Sequence, residues 1–130
     1  MAIAATDRTT AHLTPAPEKM THEILQTREC IERMRMRVNA FHAHPASLTR
    51  AAQGIKTIED RLEPILHSAV AQRGWSLENR LAASALEATQ QQLRMVLETG
   101  GTLPIEKQRA CLNHALARAT EALDLLEPEC

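Results

Sequence analysis

The sequence predicts an all-α protein: an up-down antiparallel four-helix bundle whose second helix bends near Pro64. Three observations carry that expectation. Apolar residues recur at spacings of three and four through Pro17 to His44, Ser47 to Arg73, Ser76 to Thr99 and Pro104 to Glu127, the period of one helix face. Each stretch closes on a residue that stops helices: Pro45, Gly74, Gly100 with Gly101, and Pro128. The apolar fraction of 44% comes from Ala, Leu, Ile and Met, with three Val, one Phe, one Trp and no Tyr, a mixture that suits helices better than strands. Helices of about 24–28 residues reach about 36–42 Å, and short connections fold sequential neighbours back on one another.

Residues 1–16 alternate Thr, Ala and single charges before Pro15-Ala16-Pro17. They hold too few large apolar groups to offset the entropy of ordering. A flexible arm is expected there, with 17–130 as one helical-bundle domain. In the first helix Ile24, Thr27, Ile31, Met34, Val38 and Phe41 make an a/d seam, the pattern that faces a partner helix. Arg33, Arg35 and Arg37 lie off it, as do Leu25 and Met36. The second helix repeats the device with Leu48, Ala51, Ile55, Ile58, Leu62, Ile65 and Ala69, and Ser47 is the expected N-cap. Gly54 beside Ile55 permits a close approach of helices. Pro64 clashes with the carbonyl of Asp60 and removes a donor, so the helix is expected to bend or restart.

The third helix opens at Ser76 and uses Ala82, Leu86, Thr89, Leu93 and Val96, widened by Leu81 and Leu97. The fourth uses Ile105, Leu112, Ala115, Ala119, Ala122 and Leu126, widened by Leu116 and Leu123. Its small residues admit a close neighbour, and Pro104 suits a helix start. Trp75, in the Gly-Trp-Ser turn, is expected to cap one end of the core.

Charge and motifs remove several functions. The formal net charge is −1 with two aromatic residues, so neither a basic field nor stacking platforms for nucleic acid are supplied. No run of 18 apolar residues exists, so no membrane span is expected. The amino terminus is too polar for the apolar core of a signal peptide. Cys30, Cys111 and Cys130 form no C-x-x-C pair, which suits a reducing cytosol. Twelve Arg to three Lys with abundant Ala points to GC-rich coding and a bacterial source. A cytoplasmic location follows. The Thr-rich, acid-poor arm resembles the leaders of substrates of bacterial injection systems, which makes export by a specialised secretion system the alternative.

No complete chemical motif is found. The four glycines form no phosphate loop, and no nucleophile elbow occurs. His22-Glu23 begins the helical zinc pattern H-E-x-x-H, but Gln26 stands where the second histidine belongs. His42 and His44 are two apart and cannot chelate together on a helix; they are expected to complement a helix's negative pole. Glu18 with His22, and Glu63 with His67, lack the Glu-x-x-His spacing of bundle metal sites. Cys111 lies beside the seam with His114 outward. The four-helix length resembles histidine phosphotransfer domains, yet none of the histidines is followed by their Lys-Gly pattern; His114, with Arg118 one turn on, is the nearest. Glu59, Asp60 and Glu63 around Arg61 read as an ordinary charged exterior.

What remains is a non-enzymatic interaction protein (an adaptor, secretion chaperone or inhibitor), with no catalytic residue, cofactor or metal assigned. Leu25, Arg33, Arg35, Met36 and Arg37 on the first helix are the expected contact surface for another protein, with no nucleic acid or membrane partner. The alternatives are an exported effector and a small helical enzyme for an acidic metabolite; Thr27, Thr89 and Gln108, the only polar seam residues, are too few for such a site. The wide apolar stripes also predict a homodimer joined along helix faces.

Overall fold

The computed structural model describes residues 17–40, 44–99 and 102–127. The arm at 1–16, Phe41, His42, Gly100, Gly101, Pro128 and Cys130 lie outside the described residues, as does the side chain of Glu18. Regular structure is wholly helical among the described residues: α1 Pro17–Val38, α2 Pro45–Arg73, α3 Leu77–Glu98 and α4 Ile105–Leu126. No helix among them is long and apolar enough to cross a membrane.

The expected boundaries need correcting around Pro45. Helix α1 ends at Val38, six residues before His44. Its last turn tightens as the N–H of Ala40 bonds the Arg37 carbonyl at 3.4 Å. The residue before a proline is driven out of helical backbone, and His44 is extended at φ −99°, ψ 159°. Pro45 then occupies the first turn of α2, where its missing N–H costs nothing. So Pro45 starts a helix rather than merely ending one, Ser47 lies inside α2 and is no N-cap, and His44 sits at a positive helix pole, not a negative one. Helix α2 runs unbroken through Pro64, whose ring is exposed; it does not restart there.

The turn into α3 is built by four residues. Gly74 adopts φ +69°, ψ −163°, backbone that essentially only glycine occupies. Its N–H bonds the Val70 carbonyl at 2.7 Å, and its carbonyl accepts Asn79 Nδ2 at 2.7 Å. Ser76 Oγ accepts the Asn79 N–H at 3.2 Å, capping α3. Arg73 Nη2 reaches the Leu126 carbonyl at 3.3 Å and ties the turn to α4.

Helices α3 and α4 share the most extensive contact; α2 packs on all three others, α1 also packs on α4, and any contact of α1 with α3 is slight. In cross-section α2 and α4 therefore hold the short diagonal of a lozenge, with α1 and α3 at its outer corners. Burial follows that geometry. Ile24, Thr27, Ile31 and Val38, all seven α2 seam residues, and the expected seams of α3 and α4 except Ile105 are buried. The two diagonal helices bury wider arcs than a seam: Ala52, Leu66, Ser68 and Glu59 on α2, Leu116 and Leu123 on α4. Leu81, Leu97 and Ile105 are instead exposed, and Trp75, 56% exposed, does not cap the core.

At Gly54, a methyl group would meet the Met34 sulfur of α1. Alanine there gains about 1 kcal/mol of helix propensity and requires the flexible thioether to swing aside. Gly54→Ala should thus stay within about 1 kcal/mol of wild type in urea unfolding, while Gly54→Leu should lose about 2 kcal/mol or more through overpacking.

Candidate functional site

On α1 the residues expected to meet a partner divide between two sides. At 100° per residue, Leu25, Glu29, Glu32 and Met36 fall in one outward stripe, with the two apolar ends about 16 Å apart. Leu25 is 54% and Met36 73% exposed. Arg35 leaves the stripe toward α4, bonding Glu32 at 2.6 Å and Thr120 Oγ1 at 3.4 Å. Arg28, on the same flank, pairs with Asp124 at 2.8 Å and Glu127 at 2.9 Å. Burial works against its charge, but those two carboxylates outweigh it and raise its pKa. Arg33 and Arg37 border the other flank, toward α2; Arg33 reaches back to Cys30 Sγ at 4.0 Å. The fold keeps Leu25 and Met36 together as exposed ends of one face and separates Arg35 from Arg33 and Arg37.

The charged cluster on α2 is not a plain exterior. Glu59 is only 7% exposed, held at 3.2 Å by Lys56, which also pairs with Asp60 at 3.3 Å. Those hydrogen bonds, to Glu59 first, raise the Lys56 pKa. Arg61 points elsewhere, 3.9 Å from Glu23 of α1. Lys56, Glu59, Gln90, Leu93, Arg94 and Leu97 line a half-open groove of about 150 Å³ between α2 and α3. Periodicity gave no warning of it, because a buried Glu on a seam edge reads as a surface charge.

The polar seam residues are satisfied internally. Thr27 Oγ1 donates to the Glu23 carbonyl at 2.7 Å, and Thr89 Oγ1 to Ala85 at 2.9 Å. Gln108 Nε2 donates to the Leu103 carbonyl at 2.7 Å. His114 is exposed, and its Nε2 accepts from Arg118 Nε at 3.3 Å. Glu63 accepts Gln90 Nε2 at 3.3 Å. Cys111 is half-buried, its Sγ 3.9 Å from Met95 Sδ. Among the described residues no three of His, Cys, Asp and Glu are placed to hold one metal ion.

No family model, no curated protein and no solved structure matches this chain.

Proposed function

We propose that the protein acts by binding another protein through the outer face of α1 and has no catalytic turnover of its own. The observation that carries this reading is the Leu25–Glu29–Glu32–Met36 stripe on a corner helix. Two large apolar groups stand in solvent at its ends, where no neighbouring helix of the bundle covers them. Exposed Leu and Met on one helix face are apolar anchors of the kind that helix-in-groove recognition uses. Here they stand about three turns apart, with Glu29 and Glu32 at the i+4 and i+7 positions between them. The acidic centre selects the partner: a segment with two apolar anchors and a basic group between them. Arg33 and Arg37 border the contact.

The same reading takes the helices as running up, down, up and down, with α2 bent at Pro64. The order of contacts supports the topology. Moving up α1, Glu23 meets Arg61 and Met34 meets Gly54, while Arg28 meets Asp124 and Asn39 meets Asn113. Moving up α3, Thr89 meets Ala115 and Met95 meets Cys111. In every pair one number rises as the other falls. A bacterial cytoplasmic adaptor, secretion chaperone or inhibitor fits this reading, with an exported effector as its variant.

The test is Leu25→Lys combined with Met36→Lys. Exposed substitutions move stability by about 0.5 kcal/mol or less, so helicity should match wild type. A protein captured by wild type from the source lysate should be lost by this pair, lost by Glu29→Lys, and retained by Leu97→Lys. Equal capture by all four proteins, or turnover of a small acidic metabolite by wild type, would sink the proposal.

A further inference from the structure

The groove between α2 and α3 carries charges that the fold leaves open. Glu59 lines it from α2 with its side chain nine-tenths buried, and Lys56 holds only its Oε1, at 3.2 Å. No hydrogen bond reaches Oε2 among the described residues, yet that atom is not sealed in: Arg109 Nε is the one sealed polar side-chain atom without a partner among them. Oε2 therefore opens on the groove that Glu59 lines. On the opposite wall Arg94 of α3 is exposed and makes no ion pair or hydrogen bond among the described residues. Although both line one groove, Glu59 and Arg94 stand beyond the 4.0 Å reach of an ion pair. Gln90, another polar lining group, is taken up by Glu63 at 3.3 Å. Leu93, buried, and Leu97, 45% exposed, give the groove its apolar side.

We infer that this groove binds a free aliphatic α-amino acid, its ammonium on Glu59, its carboxylate on Arg94 and its side chain on Leu93 and Leu97. The two walls differ in charge. Lys56 is shared between Glu59 and Asp60, which leaves the α2 wall one negative charge in excess, against the positive charge of Arg94. A simple anion would face the Glu59 carboxylate, and a simple amine would face the Arg94 guanidinium; like charges at close range repel. A zwitterion offers each wall its opposite charge. Its ammonium supplies the donor that Oε2 lacks, and a guanidinium takes a carboxylate through two parallel hydrogen bonds.

Size narrows the choice. A space of about 150 Å³ takes up a molecule as large as benzene, which suits the branched side chain of valine or leucine and is too small for that of tryptophan. Few atoms are bound and the mouth is open to water, so the affinity is weak, on the order of 1 mM.

Titration of the isotope-labelled chain with L-leucine, followed by amide NMR shifts, tests the inference. Saturable shifts are expected around residues 56–60 and 90–97, the two walls. N-acetyl-leucine and leucinamide, each stripped of one charge, should bind at least tenfold more weakly. Arg94→Gln, an exposed change that leaves the fold intact, should weaken L-leucine at least tenfold. Glu59→Gln keeps the shape of the side chain, removes the partner of the ammonium, and should cost as much. Leu25→Lys, on α1, should bind L-leucine like wild type. The absence of saturable shifts up to about 50 mM L-leucine, equal binding of either blocked analogue, or undiminished binding by either groove variant overturns the proposal. Failure here leaves the α1 reading standing, because the groove and the α1 face share no residue.

Discussion

Leu116→Ala should lower the melting temperature by about 10 °C, the largest effect expected of any single truncation discussed here. Leu116 is fully buried on α4, the helix whose contact with α3 is the most extensive in the fold. Removing three carbons there forfeits transfer free energy and leaves a cavity, and the stiff neighbours cannot close it. The usual cost of such a change is about 3 kcal/mol, a large part of the roughly 5–15 kcal/mol that holds a domain together. Leu25→Ala is the internal control: identical chemistry on the exposed face of α1, with an expected change of at most about 0.5 kcal/mol. Differential scanning calorimetry of the pair decides it. If Leu116→Ala melts within about 2 °C of Leu25→Ala, the assignment of α4's core face is wrong.

Asn79→Ala should cost about 2 kcal/mol, although no charge and little volume are removed. The side chain is fully buried. Its amide is the donor to the Gly74 carbonyl, and its Oδ1 lies 3.5 Å from Arg73 Nη2. Deleting it strips a hydrogen bond from the turn that sets the angle between α2 and α3. Gly74→Ala attacks the same turn by another route. Nothing lies within 4 Å of the added methyl, so its cost of about 1–3 kcal/mol is purely backbone strain. Once one change has loosened the turn, the other has less to break. The double variant should therefore lose less than the sum of the two, by about 0.5 kcal/mol or more, in a urea-unfolding cycle. Strict additivity would show that Asn79 and Gly74 act on separate features.

The core was largely legible from periodicity, and its errors of width have one geometrical cause. A repeat of three and four says which way a helix turns its apolar side, but not how many neighbours cover it. The diagonal helices touch three others, so Ala52, Leu66 and Ser68 were swallowed beyond the expected α2 seam. Corner helix α3 touches two, so Leu81 and Leu97, read as widening its buried stripe, stand in solvent. Glu59 and Asn79 were missed for a different reason: each is buried because one specific partner, Lys56 or the Gly74 carbonyl, satisfies it. Spacing does not encode such partnerships. On α1 the exposure of Leu25 and Met36 was legible, since residues off a seam face outward. The parting of Arg35 from Arg33 and Arg37 follows from the roughly 200° between residues two apart on a helix, which the expected contact surface overlooked. What spacing leaves out is that Thr120 of α4 takes up Arg35.

The contact between Gly54 and Met34 also bears on how this sequence can change over generations. A step from Gly54 to alanine is open by itself, since a thioether can turn out of the way. Anything bulkier at 54 is blocked until position 34 has first been shortened. The reverse order is open, because a smaller residue at 34 merely vacates space that 54 can later fill. Drift at this crossing of α1 and α2 toward residues larger than alanine is thus directional, with position 34 changing before position 54.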